Sequence, residues 1–99
     1  MACEIEFAES LQAHFHALTA RERATVLDTI ERQLLHEPLE ETRHRKPLRP
    51  NPIAPRELRV GPLRVFYEVT GVEGGVVRIL AVGRKRRNAV IIGGKEIQL

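Results

Sequence analysis

The chain has 99 residues and a mass of 11.2 kDa, enough for one domain with one hydrophobic core, which we predict to span residues 1–99. Hydrophobic residues make up 42% and charged residues 29% of the sequence, which argues against a disordered chain, and no apolar run approaches the about 20 residues of a membrane span. Cys3 is the only cysteine and no Cys/His grouping has zinc-ligand spacing, so we expect no disulfide, no metal and no other cofactor. A cytoplasmic, non-membrane protein is predicted.

The charge is distributed unevenly. Residues 1–42 hold three Arg/Lys and nine Asp/Glu, a charge of −6, whereas residues 43–99 hold thirteen and four, a charge of +9, and the two sum to the net +3. Thirteen of the sixteen cations are arginine, whose planar fork suits phosphate and carboxylate. The basic half therefore predicts a polyanionic partner, with a merely solvated basic surface as the alternative.

The N-terminal third predicts a strand and two helices. Apolar and acidic residues alternate over Cys3–Phe7, the pattern of a half-buried strand. Leu11, Phe15 and Leu18 share one helical face and predict a helix from about Ala8 to Leu18.

A second helix begins at a sequence typical of a capping box. Thr19 and Glu22 stand at the two positions whose side chains satisfy each other's exposed backbone donors. Pro38 is expected to end this helix near His36. We expect its buried stripe to hold Ala24, Leu27, Ile30 and Leu34.

The rest of the chain predicts an extended connector followed by strands. Four prolines lie between Thr42 and Arg56, which excludes a helix there. Alternation and glycine-containing turns then predict strands at Glu57–Val60, Leu63–Val69, Val76–Val82 and Ala89–Ile92, a turn at Gly71–Gly75, a basic loop at Gly83–Asn88 and a tail at Lys95–Leu99. The fold class is α+β: two N-terminal helices packed on a twisted antiparallel sheet in the order β-α-α-β-β-β(-β).

Three segments resemble the RelE/ParE toxin superfamily, and its RelE-like members in particular. Glu57–Val69 resembles the family's hairpin signature, and Ile79–Asn88 resembles its apolar strand that ends in Val-Gly and a basic run. Arg45–Leu48 corresponds to the basic segment that enters the sheet.

This resemblance implies the toxin half of a bacterial type II toxin–antitoxin pair. RelE-like members cleave mRNA on the ribosome by a metal-free attack of the 2′-hydroxyl, and this endoribonuclease activity is the function that we predict from the resemblance. The alternative is that of ParE-like members, which inhibit DNA gyrase by binding it. A third alternative is a toxin-fold protein that only binds its antitoxin, since fold alone does not choose an activity. The expected partners are an acidic, partly disordered antitoxin, then ribosome and mRNA or gyrase, with a homodimer left open for the antitoxin-free chain.

The resemblance also implies site residues for an RNA-cleaving toxin. Arg64 would stabilise charge on the phosphate, and Lys85 or its neighbour Arg84 would supply a second catalytic cation. An alternative for Arg64 is a simple ion pair with Glu68 on the same strand face. Further RNA-binding residues would be Arg45, Lys46, Arg56, Arg59, Arg86 and Arg87, with Phe66 free to stack a base.

Two features depart from the nuclease pattern. No tyrosine stands near Ile91, where RelE-like nucleases carry one, and Glu57 and Arg59 occupy the strand where a lysine pair is usual. His44 is the candidate acid or base, because its ordinary pKa lies near neutrality.

Overall fold

The computed structural model describes residues 3–35, 38–71, 73 and 75–98. Two helices and seven strands follow in the order β1 Glu4–Phe7, α1 Leu11–His16, α2 Ala20–Leu34, β2 Arg45–Pro47, β3 Arg56–Val60, β4 Leu63–Thr70, β5 Val76–Arg86, β6 Ala89–Ile92 and β7 Lys95–Gln98. No helix among these residues is both long and apolar enough to cross a bilayer.

All seven strands belong to one sheet. Strands β2 to β7 lie side by side in chain order and are antiparallel, whereas β1 pairs in parallel with the first half of β5. The α+β class and the helices packed on an antiparallel sheet are confirmed. Strand β1 departs from the predicted antiparallel sheet: it is a parallel neighbour of β5, which the chain reaches only after both helices and strands β2 to β4, and a parallel pair needs a long connection.

Strand β5 is the centre of the sheet. One of its edges pairs with β4, and three elements lie along the other edge. Strand β1 pairs with residues 76–79 and β6 with residues 84–86. Between them lies α1: the Ser10 hydroxyl donates to the Leu80 carbonyl at 3.4 Å, and the Val82 N–H donates to His14 Nδ1 at 3.3 Å. The six-residue helix thus satisfies backbone groups that no strand reaches.

The capping box at the start of α2 is confirmed. Glu22 N–H donates to the Thr19 hydroxyl and Thr19 N–H to Glu22 Oε1, both at 3.0 Å. The buried stripe differs in its first turns: it runs through Val26, Ile30 and Leu34, while Leu27 is 45% exposed. Both stripes share their last two residues, so periodicity alone left the first half of the helix ambiguous.

Helix α2 ends at Leu34. The predicted end at His36 lies outside the described residues, as do two positions of the predicted 71–75 turn and the terminal Leu99. Helix α1 is shorter than predicted, because Leu18 belongs to the tight joint before α2.

Two apolar clusters lie on opposite faces of the sheet. The larger joins both helices to β3, β4 and β5 through residues such as Val26, Leu58 and Tyr67. The smaller, on the face away from the helices, contains Ala54, Phe66, Ala81, Val90 and Ile92. The alternation predicted for Leu63–Val69 is confirmed: Leu63, Val65 and Tyr67 belong to the larger cluster and Phe66 to the smaller. A register shift marks a bulge in β5, because Phe66 pairs with Ala81 and Tyr67 with Ile79, which leaves Leu80 as the extra residue.

The C-terminal segments form more strand than predicted. The expected basic loop continues β5 as far as Arg86, leaving a two-residue turn, and the expected tail is β7, which pairs with β6 from Lys95 to Gln98. Lys46 and its neighbours form β2 within the predicted connector. Each of these segments is short or charged, so its strand character comes from its partner rather than from its own pattern.

Candidate functional site

Cations from four neighbouring strands lie on the sheet face opposite the helices. Leu58, Val60 and Leu63 pack toward the helices, so the alternate residues of β3 and β4 point the other way. Paired residues share a face: Lys46 lies opposite Glu57, and Arg59 opposite Arg64. Arg64 pairs with Gly83, and Lys85 lies two positions after Gly83, so it points to the same face. We call Lys46, Glu57, Arg59, Arg64 and Lys85 the basic face.

Glu57 is the central residue of the basic face. Its side chain is 11% exposed, and Oε1 lies 3.6 Å from Arg59 Nε and 3.8 Å from Arg64 Nε. The two arginines are direct cross-strand neighbours, an arrangement that repels without a counter-charge. The Glu57 carboxylate supplies that counter-charge, and it replaces Glu68 as the expected partner of Arg64.

Arg64 is held by its own hairpin. Nη1 donates to the carbonyls of Gly61 and Leu63, each at 2.8 Å. Burial lowers the pKa of Arg64, the Glu57 carboxylate opposes that change, and neighbouring Arg59 adds to it. The guanidinium that the resemblance assigns to a phosphate therefore already has a carboxylate and two carbonyls around it.

Two lysines of the basic face are exposed to solvent. Neither Lys46 nor Lys85 forms a side-chain hydrogen bond or ion pair with another described residue, and the Lys85 backbone N–H donates to the Pro62 carbonyl at 2.8 Å. His44 lies at the margin, where its carbonyl accepts the Arg59 N–H at 2.7 Å and its side chain is exposed. Lys46 lies on β2 and Lys85 on β5, so β3 and β4 separate the two lysines across the basic face.

Arg84 lies on the other face of the sheet, which corrects its predicted place beside Arg64. Its Nη2 donates to Glu22 Oε2 at 2.7 Å, joining β5 to the start of α2. Two hydrogen bonds lower the pKa of Glu22: the larger effect comes from the Thr19 backbone N–H and the next from the Arg84 side chain. Adjacent strand residues point to opposite faces, so only Lys85 of this pair can serve the basic face.

Three other predicted RNA contacts are structural, which corrects their assignment. Phe66 is 0% exposed in the second cluster, so its ring has no surface on which a base could stack. Arg45 is 9% exposed, and its Nη1 donates to the Gln33 carbonyl at 2.8 Å, at the end of α2. Arg56 Nη2 donates to the Leu39 carbonyl at 2.9 Å. Their positions in sequence gave no sign that a carbonyl was the partner.

Arg86 and Arg87 also lie away from the basic face. Alternation places Arg86 on the face of Arg84, and with Arg87 it lines an open cleft of about 720 Å³. We call this the hairpin cleft; its lining consists of Arg86, Arg87, Asn88, Ala89, Ile91, Gly94, Glu96 and Gln98. Ile91 lines this cleft, so the position expected to carry a nuclease tyrosine faces away from Arg64.

Within the described ranges, no group of three or more His, Cys, Asp or Glu residues is arranged to hold a metal ion. The chemistry of the basic face is therefore that of cations and one internal carboxylate.

The sequence from residue 5 to residue 89 matches the model of a family described as the ParE toxin of the type II toxin–antitoxin system parDE. The chain belongs to the ParE toxin family. It is a toxin of a type II toxin–antitoxin system, within the RelE/ParE superfamily.

A solved structure supports the same placement of this toxin. A chain of the toxin–antitoxin complex RelBE2 from Mycobacterium tuberculosis is 28% identical, with a TM-score of 0.71 over 86% of this toxin and 100% of that chain. No curated protein matches the sequence.

Proposed function

We propose that this toxin acts by binding a protein target, DNA gyrase in the manner of ParE-like members, and not by cutting mRNA. The observation that carries the proposal is the Glu57 carboxylate between Arg59 and Arg64. A scissile phosphate brought to Arg64 would meet this negative charge. This repulsion offsets part of the attraction that the two guanidinium groups exert on a phosphate, and so weakens the charge stabilisation that phosphoryl chemistry needs.

Two further observations support the same proposal. Arg64 Nη1 donates to two carbonyls, which occupies both of its hydrogens, so a phosphate could bind through this atom only if one of the two hydrogen bonds broke. Ile91 lines the hairpin cleft and offers no proton donor or acceptor. The match to the ParE family model is consistent with an activity that needs no hydrolysis.

A cognate antitoxin is part of this proposal. The family is the toxin half of a pair, and the similar chain of known structure was solved in a toxin–antitoxin complex. The net charge of +3 and the exposed cations of the basic face favour an acidic, partly disordered partner.

Ribosome-dependent mRNA cleavage remains the second candidate because of the exposed lysines. Lys46 and Lys85, with Arg59, could contact an RNA backbone, and His44 could act as acid or base beside them. In that mechanism Lys85 would be the cation on the phosphate, since Arg84 points away.

The two functions separate in one experiment. The toxin is expressed from a tightly controlled promoter, the 5′ ends of transcripts are mapped, and the purified toxin is added to gyrase in a DNA supercoiling assay. We expect growth arrest with intact transcripts and inhibition of supercoiling.

The matched variants for this experiment are Lys85→Ala and Lys95→Ala, two exposed lysines of which only Lys85 belongs to the basic face. New 5′ ends at regular codon positions, absent in Lys85→Ala and kept in Lys95→Ala, would overturn the proposal in favour of mRNA cleavage. Normal growth together with unimpaired supercoiling would leave only antitoxin binding.

A further inference from the structure

The four consecutive cations at residues 84–87 do not act as one patch. Arg84 is ion-paired with Glu22, and Lys85 belongs to the basic face. Arg86 and Arg87 are exposed, and neither forms an ion pair or side-chain hydrogen bond with another described residue. The unpaired guanidinium groups of Arg86 and Arg87 thus lie together. They are on the sheet face that carries the helices, but outside the area that the helices cover.

The backbone holds Arg87 in an unusual conformation. It is the first residue of the two-residue turn between β5 and β6 and has φ of +56°, a region that costs a non-glycine residue about 1–2 kcal/mol. Glycine or asparagine would occupy this position with less strain. Strained residues are often found where their side chains have a function. An arginine occupies the tip of the hairpin in spite of this strain.

The rest of the hairpin cleft supplies hydrogen-bond donors and few apolar surfaces. Asn88 and Gln98 add amide groups to the two arginines, and Glu96 contributes one carboxylate. Guanidinium and amide donors are the side chains that contact the phosphate backbone of nucleic acids. Among the apolar lining residues, Ala89 is 2% exposed and Ile91 is half-buried, so the cleft offers one apolar side chain to anchor a peptide.

The absence of aromatic side chains from this lining limits the kinds of nucleic acid that the cleft could bind. Proteins that bind single strands stack successive bases on aromatic rings, and none of the residues that line the cleft is aromatic. A duplex keeps its bases stacked inside and carries its phosphates on the outside, so guanidinium groups can bind it without any aromatic stacking. The ligand with matching chemistry is a double-helical phosphodiester backbone.

We propose that the hairpin cleft is a binding site for the phosphate backbone of duplex DNA, with Arg86 and Arg87 as the two residues that bind phosphate. The site lies on the opposite side of the sheet from Arg64 and does not depend on the function proposed above. Glu96 also lines the cleft, and its negative charge should limit the affinity for the phosphate backbone.

The test measures binding of the purified toxin to a fluorescently labelled 20-base-pair DNA duplex by anisotropy, as a function of salt. We expect log K to fall linearly with log salt, and the double variant Arg86→Ala/Arg87→Gly to reduce that slope by about 2, one unit for each phosphate that the variant no longer binds. Glycine at position 87 relieves the positive φ, so a folding defect would not account for the weaker binding. We expect Glu96→Gln to tighten binding.

Two controls locate the site. Arg32→Ala removes an exposed arginine of α2, whose Nε lies 3.0 Å from Asp28, and should leave the slope unchanged. Lys46→Ala/Arg59→Ala removes two cations of the basic face and should also leave it unchanged.

Three results would each overturn the proposal. The first is a slope that depends on Lys46 and Arg59 but not on Arg86 and Arg87. The second is tighter binding of a single-stranded RNA of equal length than of the duplex. The third is binding of a poly-glutamate peptide with no measurable binding of the duplex, which would identify the cleft as a site for an acidic protein segment.

Discussion

Gly83 lies on β5 where an added side chain would meet β6, and replacing it with alanine tests how the sheet is packed. A Cβ at residue 83 would lie 2.5 Å from the Ile91 carbonyl oxygen, 2.6 Å from Ile92 Cγ1 and 2.7 Å from Val90 Cγ1. Ordinary contacts begin at 3.4 Å, so the neighbouring strand would have to move by 3.4 − 2.5 = 0.9 Å. One of the three atoms belongs to backbone and cannot rotate away.

The expected cost follows from what that movement disturbs. Strand β6 pairs with β5 at three positions and carries Val90 and Ile92 of the second cluster. Overpacking of this kind costs about 1–3 kcal/mol, and a weakened backbone hydrogen bond adds about 1 kcal/mol. We therefore expect Gly83→Ala to lower the free energy of unfolding by roughly 3 kcal/mol, which for a domain of this size lowers Tm by roughly 12–24 °C.

Chemical denaturation of the purified toxin, followed by far-ultraviolet circular dichroism, measures this change. Gly61→Ala is the matched control: its Cβ would meet nothing within 4 Å, although φ is +58°, so it carries only the conformational cost of about 1–2 kcal/mol. If Gly83→Ala costs no more than Gly61→Ala at an unchanged m-value, β6 does not press on Gly83 and the reasoning is refuted.

Two further predictions concern the second cluster and α1. Phe66→Ala should reduce the free energy of unfolding by about 3–5 kcal/mol, whereas Phe66→Leu should cost less than about 1.5 kcal/mol and leave RNA binding unchanged; weaker RNA binding at unchanged stability would instead support base stacking. Burial lowers the pKa of His14 below 6.5, so the folded chain binds fewer protons at this residue than the unfolded chain does. Its contribution to stability is therefore complete above about pH 6.5 and is lost as the pH falls below that value. His14→Gln should remove this part of the pH dependence in unfolding curves, and an unchanged curve would contradict the role of the His14 ring as acceptor for Val82.

The order of elements could be predicted from the sequence because each main element carries its own periodic signal. The capping box at Thr19 and the inward face of Leu63, Val65 and Tyr67 depend on residues that are neighbours along the chain. The hairpin signature and the basic run after Val82-Gly83 likewise identified the superfamily. These local signals were sufficient for the fold class, whereas β2, β7 and the parallel pairing of β1 were not predicted.

The site was predicted less well because it depends on pairings between strands. Nothing in the sequence of β5 shows that Leu80 forms a bulge, and nothing in residues 83–88 shows that the strand continues and turns Arg84 toward Glu22. The role of Glu57 depends on the register that brings Arg59 opposite Arg64. Arg45 and Arg56 were assigned by charge, whereas their partners are carbonyls of distant segments, which a sequence pattern does not reveal.

The parallel pairing of β1 with β5 has a consequence for how the toxin forms during synthesis. Glu4 pairs with Val76, so β1 can pair only after a segment 76 − 4 = 72 residues downstream has been synthesised. The Phe7–Ile79 pair and the hydrogen bonds of α1 with Leu80 and Val82 are equally distant in sequence. The first strand and α1 can therefore take their final places only after residues 76–82 have been made, and long-range closure of this kind is slow.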